Sequence, residues 1–294
     1  MTPDVILAIA VTIVTAATPL LIAALGELVV ERSGVLNLGV EGMMIVGAVM
    51  AFAGAQWTGS AYIGLVAAMA AGAAMSALFA LLVLVFRTNQ VVTGLALTIF
   101  GLGLSGLIGQ AFIGLPGVKL DTVLFSFDIL VFASVALTFG VGWFLFRTRA
   151  GLVLRAVGDN HTSAHAIGHN VLLVRFLAIL FGGACAGAAG AYLSLAYTPQ
   201  WVEGMTAGRG WIALALVVFA TWRPVRVAVG AYLFGTVLIL QFHAQALGVQ
   251  VAPQLLNALP YLATIIVLVL ISANTGLVRR NTPACLGKPF APDV

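Results

Sequence analysis

The run AYIGLVAAMAAGAAMSALFALLVLVF, from Ala61 to Phe86, decides the fold of this chain. It contains no charged residue, and apolar and polar residues do not alternate along it with a period of two. A helix of about 20 apolar residues crosses the ~30 Å hydrocarbon core of a bilayer, whereas the strands of a membrane barrel are about ten residues of alternating character. The run therefore predicts a transmembrane helix and argues against a barrel.

Similar apolar runs recur along the whole sequence. The 294 residues are 62% hydrophobic and 7% charged, so they cannot provide a water-facing surface around one globular core. We predict an all-α polytopic membrane protein with about nine transmembrane helices, or eight or ten if a short segment re-enters the membrane. The predicted spans are Val5–Leu25, Gly34–Ala55, Tyr62–Phe86, Val91–Phe112, Leu124–Phe146, Phe176–Tyr197, Gly208–Trp222, Val225–His243 and Leu255–Ala273.

The positions of the basic residues predict the orientation. Most of the 13 Lys and Arg residues fall in alternate loops, which the positive-inside rule assigns to the cytoplasm. We therefore predict a multi-pass protein of the bacterial cytoplasmic membrane with its N-terminus outside and its C-terminus in the cytoplasm. The first segment has Asp4 and no basic residue before it, so we expect an uncleaved span and not a secretory signal.

No polar linker divides the chain into soluble domains. We predict one transmembrane domain over residues 1–278, with a long cytoplasmic loop at 147–175, and a cytoplasmic tail over 279–294. Because the tail contains Pro283, Pro289 and Pro292, it is predicted to be extended or disordered and receives no site. Cys185 and Cys285 are predicted to be free thiols, since two cysteines at these places do not form a disulfide framework.

Two glycine-rich segments with one charge each interrupt the apolar pattern: GVLNLGVEGMMIVGAVMAF from Gly34 and GMTAGRGWIALALVVFATW from Gly204. In the predicted topology they run in opposite directions, which suggests an inverted repeat whose broken helices meet near the midplane. Glu41 and Arg209 then either approach a water-filled cavity, with Asn37 between them, or form an internal ion pair that fixes helix packing. Elsewhere, glycines at four-residue spacing indicate close helix packing.

Several kinds of chemistry are excluded or disfavoured. The chain has no Gly-x-x-x-x-Gly-Lys-Ser/Thr loop for nucleotide phosphates and no catalytic motif of a hydrolase, so it is not expected to be an enzyme. His161, His165 and His169 have the spacing of one helical face, but no Cys or Glu lies nearby to complete a metal site. We predict no metal, no catalytic residue and no cofactor. The basic residues report orientation, so no nucleic-acid partner is expected.

Four stretches resemble one family, the permease subunits of ABC importers for branched-chain amino acids, ribose and nucleosides. They are GELVVERSGVLNLGVEGMMIVGA from Gly26, NQVVTGLALTIFGLGLSG from Asn89, GLVLRAVGDNHTSAHAIGHNVLLVRFLAILFGGACAGAAGAYL from Gly151 and GRGWIALALVVFATWRP from Gly208. The similarity covers nearly the whole chain. It is strongest to the nucleoside and simple-sugar branch of the family.

The resemblance implies partners. A permease of this family pairs with a second, similar permease in a heterodimer, binds ATP-binding subunits that hydrolyse ATP, and receives substrate from an extracytoplasmic solute-binding protein. It also implies that a short helix in the 147–175 loop presses on the ATPase. The residues of this sequence that match the coupling pattern are Arg155, Gly158, Asp159, Asn160, Ala164 and Gly168.

The polar residues beside the spans are the candidates for the substrate pathway, since polar groups there are costly unless they face protein or water. They are Asn37, Glu41, Gly42, Asn89, Gln90, Thr93, Arg209 and Gly210. The branch resembled implies nucleosides as substrate, with simple sugars next and branched-chain amino acids third. A stand-alone secondary transporter and a membrane enzyme remain the alternatives from other classes.

Overall fold

The computed structural model describes residues 3–124, 127–246, 258–259, 262, 265–266, 269 and 281–291. Ten α-helices occur in these ranges: α1 (Pro3–Arg32), α2 (Val40–Thr58), α3 (Ala61–Ala80), α4 (Gln90–Gly109), α5 (Ile129–Arg147), α6 (Arg149–Asp159), α7 (His161–Ala166), α8 (Val171–Tyr192), α9 (Arg209–Phe219) and α10 (Pro224–Ala246). π-Helical turns at Leu81–Val85 and Leu193–Tyr197 extend α3 and α8. A small hairpin, β1 (Thr122–Leu124) and β2 (Phe127–Asp128), precedes α5.

Six helices of the described part are long and apolar enough to cross a membrane. They are Leu7–Arg32, Val40–Thr58, Ala61–Val85, Gln90–Phe112, Ile129–Arg147 and Val171–Tyr197, and two shorter apolar helices follow at Arg209–Phe219 and Pro224–Leu240. The predicted all-α polytopic class is therefore confirmed. The ninth predicted span, Leu255–Ala273, lies mostly outside the described residues.

Two predicted spans differ from the structure in an informative way. The second helix begins at Val40, not at Gly34, because residues 33–39 are non-helical. The segment predicted as a full span from Gly208 to Trp222 contains only the 11-residue helix α9. At 1.5 Å per residue such a helix is about 16 Å long, roughly half of the hydrocarbon thickness. Both differences fall in the glycine-rich segments.

The two ends of the helical bundle are chemically different. At one end, called the basic end, α1 finishes at Arg32, whose guanidinium donates to the carbonyl oxygen of Asn281 at 3.1 Å. The helices α6 and α7 and residues 281–291 lie at this end, where the amide of Cys285 donates to the carbonyl oxygen of Gly158 at 2.8 Å. The opposite end carries the α2–α3 turn and the β-hairpin.

Helix α8 packs against α1, α2 and α3, and glycines allow the close approach. A Cβ atom on Gly187 would collide with the carbonyl oxygen of Ala68 in α3, and one on Gly183 would collide with the side chain of Ser76. In lipid there is no hydrophobic drive between helices, so small residues stabilise the bundle by letting backbones touch. The packing role predicted for the spaced glycines is confirmed.

Candidate functional site

Residues 33–39 form a mostly buried, non-helical segment between α1 and α2. The amide of Leu36 donates to Gln90 Oε1 at 2.8 Å, and the amide of Asn37 donates to Glu27 Oε1 at 3.2 Å. Buried backbone amides outside a helix need such partners, because no carbonyl within a helix satisfies them. Gln90, predicted as a pathway residue, thus holds this segment in place from α4.

The carboxylate of Glu41, in the first turn of α2, lies at the N-terminus of α9. Its Oε1 accepts hydrogen bonds from the Thr206 hydroxyl at 2.5 Å and the Gly208 amide at 2.9 Å, and its Oε2 accepts from the Gly210 amide at 2.6 Å. The first amides of a helix have no partner within the helix, and the helix dipole favours a negative charge there. We call these four residues the Glu41 junction.

Glycine is required on both sides of this junction. A Cβ atom on Gly210 would lie 2.6 Å from both the amide nitrogen and the Cα atom of Glu41. On the other side of α2, a Cβ atom on Gly42 would lie 2.7 Å from the Cα atom of Thr98 in α4. The start of α2 is therefore clamped between α4 and α9, and the structure brings Glu41, Gly42 and Gly210 together.

Arg209 lies beside the junction without pairing to its carboxylate. The guanidinium donates to the carbonyl oxygens of Met205 at 2.9 Å and Thr206 at 3.3 Å. It also lies 5.7 Å from the centre of the Tyr197 ring, within the range of a cation–π contact. The internal ion pair between Glu41 and Arg209, one of the two expected roles, is therefore wrong: both side chains bind backbone groups instead.

Asn89 and Thr93 lie at the start of α4, away from the Glu41 junction. The side-chain oxygen of Asn89 accepts from the amides of Val91 at 3.0 Å and Val92 at 3.1 Å, so this residue caps the helix. The hydroxyl of Thr93 lies 2.8 Å from that of Thr88. Asn89 and Thr93 line a crevice of about 470 Å³ between α3 and α4 at the basic end.

Two buried carboxylates on α1 were missed by the sequence analysis. Glu27 and Glu31 are 1% and 0% exposed, and Glu31 Oε2 accepts from the indole nitrogen of Trp222 at 2.6 Å. Among the described residues, Glu27 Oε2 and Glu31 Oε1 have no hydrogen-bond partner. The first span was predicted to end at Leu25, which left both glutamates in a loop. Their four-residue spacing was the available signal, since it puts them on one helical face.

The predicted coupling segment forms two short helices, α6 and α7, at the basic end. Asn160 separates them, and its side-chain oxygen accepts from the amide of Ser163 at 3.0 Å to cap α7. Ala164 faces inward with 3% exposure. Gly168 follows α7 with φ of +92°, a left-handed conformation that side chains disfavour. Of these three residues, the structure leaves Asn160 and Gly168 on the surface.

The other three residues of the coupling pattern lie at the end of α6. Gly158 packs so closely against the carbonyl oxygen of Arg32 that a Cβ atom would collide with it. Arg155 is half-buried, and its guanidinium lies 5.1 Å from the centre of the Phe146 ring. Asp159 is exposed beside Asn160. The coupling segment therefore touches the end of α1 directly.

Arg175 connects three segments of the basic end and is fully buried. Its guanidinium donates to the carbonyl oxygen of Ser33 at 3.2 Å and to that of Lys288 at 3.1 Å, and it lies 3.1 Å from His161 Nδ1. One side chain thus joins the 33–39 segment, the C-terminal segment and α7. In the sequence, Arg175 indicates only the orientation of the chain.

Residues 281–291 are packed, in contrast to the predicted extended or disordered tail. The amide of Gly287 donates to the carbonyl oxygen of Gly34 at 3.1 Å. Phe290 is 5% exposed, and its ring lies 5.2 Å from that of His161 and 5.4 Å from that of His165. The prolines that suggested disorder are offset by this apolar anchor. Two of the three regularly spaced histidines thereby have a packing role.

The environment of His161 has an electrostatic consequence. Burial lowers the pKa of the His161 imidazole, and the positive charges of Arg175 and Lys288 lower it further. The ring is therefore neutral at physiological pH. A neutral Nδ1 without a proton can accept the hydrogen bond from Arg175, whereas the imidazolium would repel it.

Curated relatives align with almost the whole chain. The permease TsgC13 of Haloferax volcanii, whose name assigns it provisionally to a glucose ABC transporter, is 42% identical over 93% of this chain and 94% of its own length. The guanosine ABC transporter permease NupQ of Bacillus subtilis is 32% identical over 93% of both chains. The nucleoside ABC transporter permease NupC of Lactococcus lactis is 30% identical over 86% of this chain and 88% of its own. No solved structure matches the chain significantly.

A family model, described as the permease component of branched-chain amino acid transport systems, matches residues 9–272. This range includes the Glu41 junction, the helices α6 and α7, and Arg175. The apolar helices agree with a protein that crosses the membrane several times. The chain therefore belongs to the branched-chain amino acid transport system permease family, and it is a multi-pass ABC transporter permease subunit and not itself an enzyme.

Proposed function

We propose that this chain forms half of the translocation pathway of an ATP-driven importer, with nucleosides as substrate. The observation that carries the proposal is the Glu41 junction, where α2 and the half-length helix α9 both begin inside the bundle. Discontinuous helices that meet at membrane depth are typical of transport pathways, because irregular backbone is tolerated there only beside protein or water. The other residues proposed to line the pathway near this junction are Asn37, Gly42, Gln90, Arg209 and Gly210. Asn89 and Thr93 extend the proposed pathway toward the basic end.

The basic end is proposed to face the cytoplasm. Arg32, Arg155, Arg175 and Lys288 all lie there, whereas Lys119 lies near the opposite end. An excess of Lys and Arg marks the cytoplasmic side of membrane proteins. The N-terminus is then outside and the C-terminus inside, and residues 281–291 belong to the cytoplasmic face of the transmembrane domain.

The surface formed by α6 and α7 is proposed to dock an ATP-binding subunit. ATP would be hydrolysed by that partner, and this chain would need no cofactor of its own. A second, homologous permease would complete the pathway, and a solute-binding protein would deliver substrate from outside. The exposed Asp159, Asn160 and Gly168 support the docking role, because they leave the end of α6 and the end of α7 open to a partner.

Movement of α7 can reach the Glu41 junction through a short series of contacts. Arg175 links His161 of α7 to Ser33, and Gly158 lies against Arg32. Both contacts end on the 33–39 segment or on the residue before it, and this segment leads directly into α2. Closure of the ATPase pair would thereby shift the start of α2 and open the pathway alternately to the two sides.

The substrate proposal rests on the charges at the junction. A zwitterionic amino acid would need partners for its ammonium and carboxylate groups, but Glu41 and Arg209 are already engaged by backbone groups and the Thr206 hydroxyl. Uncharged, hydroxyl-bearing solutes fit this arrangement better. The guanosine and nucleoside permeases among the relatives support nucleosides. The relative assigned to glucose, with 42% identity, supports simple sugars as the second candidate.

Competition uptake tests the proposal. Cells that lack the transporter are complemented with this permease and its partner subunits, and uptake of labelled guanosine is measured with unlabelled guanosine, glucose or leucine. We expect guanosine to compete and leucine to have no effect. Uptake of labelled leucine in place of labelled guanosine would overturn the substrate class. If the purified chain alone moved guanosine down an ion gradient in proteoliposomes, the importer-subunit function would be wrong.

A further inference from the structure

A polar cavity of about 470 Å³ lies at the end of the bundle opposite the basic end. Its wall combines the carboxylate of Asp128, the phenol rings of Tyr192 and Tyr197, the hydroxyls of Thr12 and Thr198, and Lys119. Small-molecule sites usually measure ~300–1,000 Å³ and place a few polar groups among apolar and aromatic ones. The cavity has this size and composition, and none of its lining residues was among the predicted pathway residues.

The carboxylate of Asp128 is buried in the cavity wall and is held in place by hydrogen bonds. It is 6% exposed, and Oδ1 accepts from the amides of Leu130 at 2.8 Å and Val131 at 3.3 Å at the start of α5. Tyr192, which is 1% exposed, lies beside this carboxylate in the cavity wall. These contacts fix its position, so it can present an acceptor at a defined place in the cavity.

Tyr197 joins the cavity to the Glu41 junction. Its ring lines the cavity, and the guanidinium of Arg209 lies 5.7 Å from the centre of the same ring. Arg209 in turn precedes Gly210, whose amide donates to Glu41. Only the Tyr197 ring would therefore separate a solute in the cavity from Arg209 at the start of α9.

We propose that this cavity is an outer subsite of the transport pathway and binds an uncharged ring that carries several hydroxyl groups, the hexose of a sugar or the ribose of a nucleoside. The inference rests on the proposed function and identifies where substrate first contacts this chain. Sugar hydroxyls donate to Asp128, and the C–H face of the ring packs on Tyr197. The amides of α5 already offset the charge of Asp128, which favours a hydroxyl donor over an ammonium group.

The test measures ligand binding to the purified full chain in lipid nanodiscs. Saturation-transfer NMR detects the binding of D-glucose, guanosine and L-leucine. Asp128→Asn keeps a helix-capping side chain but removes the charge, and Tyr197→Leu removes the ring. We expect glucose or guanosine to bind. Asp128→Asn should weaken that binding by about tenfold, because the ligand loses a hydrogen bond to a charged group, and Tyr197→Leu should weaken it by a similar factor, because the ligand loses its ring contact. Glu203→Gln and Tyr62→Leu, exposed positions outside the cavity wall, should bind as the unaltered chain does.

Wild-type affinity in both variants, binding of leucine alone, or the absence of glucose and guanosine binding would overturn the subsite. Tyr192→Phe is a third variant that removes only one hydroxyl, so it tests the subsite even if the other variants misfold. It should also weaken binding if the subsite is real. Uptake separates the two proposals. Normal guanosine uptake with an unchanged half-saturating concentration in the variants would refute the subsite and leave the importer intact. The opposite result is also informative. If glucose or guanosine binds, the variants abolish this binding, and the complete transporter takes up neither sugars nor nucleosides, the subsite is supported and the importer proposal is refuted.

Discussion

The amide nitrogen of Gly210 lies 2.6 Å from Glu41 Oε2, although 169 residues separate the two along the chain. This hydrogen bond joins the first turn of α2 to the first turn of α9. A non-helical segment precedes each helix, and Gly210 in the first turn of α9 lets the two helices approach. A buried carboxylate is costly unless it is hydrogen-bonded, and three donors from the start of α9 and the residues before it satisfy Glu41, so this contact positions the two helices.

Replacement of Glu41 by Gln is expected to loosen this contact. The amide removes the charge and turns one acceptor oxygen into a donor that faces backbone N–H groups or the Thr206 hydroxyl. Hydrogen bonds to charged groups contribute about 1.5–3 kcal/mol, so we expect a lower thermal unfolding temperature and at least tenfold slower uptake. Thermal unfolding of the purified chain and guanosine uptake by the complete transporter measure the two effects. Glu203→Gln is the control because Glu203 is exposed; equal effects of both substitutions would contradict the prediction.

Gly210→Ala tests the geometry without a change of charge. The added methyl group would lie 2.6 Å from the Glu41 backbone, so α9 must move or the junction must open. Overpacking of this kind costs about 1–3 kcal/mol. Gly103→Ala in α4 is a matched control, because a Cβ atom there meets no other atom within 4 Å. We expect the unfolding temperature to fall only for Gly210→Ala, and a fall in both or in neither would refute the close approach.

The sequence predicted the helices well and their interruptions less well. Long apolar runs such as Ala61–Phe86 are expected to be helical in a bilayer, because a helix satisfies all backbone hydrogen bonds within one segment. The break at residues 33–39 consists mainly of glycine and apolar residues, like the helices around it, whereas the break at 198–208 contains Pro199, Gln200 and Glu203 and falls between two predicted spans. They depend on partners far along the chain, such as Gln90 for Leu36 and Glu41 for Gly208. A local pattern of hydrophobicity does not contain that information.

The site was predicted in the same uneven way. Polarity next to a span was enough to select Glu41 and Arg209, which both lie at the start of α9, and Asn37, which lies in the 33–39 segment. It was not enough to assign their contacts, because whether Arg209 meets a carboxylate or a carbonyl is decided by loop geometry. The buried Glu27 and Glu31 were missed since a helix that continues to Arg32 looks, in sequence, like a helix followed by a charged loop. The C-terminal segment was missed because its anchors, the packing of Phe290 and the hydrogen bonds to Gly34, Gly158 and Arg175, depend on residues far along the chain.

Arg175→Gln is expected to release the C-terminal segment. The shorter amide cannot reach Ser33, Lys288 and His161 together, so three contacts of a buried guanidinium are lost. The reporter is Cys285, which is a buried free thiol in the intact protein. We expect maleimide labelling of Cys285 to accelerate at least tenfold, as measured by mass spectrometry of the peptide that contains it. The exposed Arg149→Gln is the charge-matched control and should label at the original rate.

Acidification should also loosen the C-terminal segment, through protonation of His161. Its pKa is lowered in the folded protein, so the unfolded chain binds the proton more readily and the folded form loses stability as pH falls below the ordinary value of about 6.5. Above that pH the ring is neutral in both states and this contribution is fully present. We expect Cys285 labelling, normalised to the rate for glutathione, to rise between pH 7.5 and about 5.5. The effect should vanish in His161→Gln, and the same rise in that variant would refute the assignment to His161.

The coupling surface offers the last test. Arg155→Glu reverses the charge beside Phe146, and Gly168→Val places a β-branched residue at a φ of +92°, which only glycine adopts readily. If α6 and α7 dock the ATP-binding subunit, both changes should reduce its co-purification by about tenfold, the effect of ~1.4 kcal/mol, while the permease still inserts into the membrane. Arg147→Glu changes the same charge at an exposed position before α6 and should retain the subunit. Full retention by Arg155→Glu and Gly168→Val would move the docking surface elsewhere on the basic end, because the two substitutions perturb opposite ends of the segment and no single local rearrangement compensates for both.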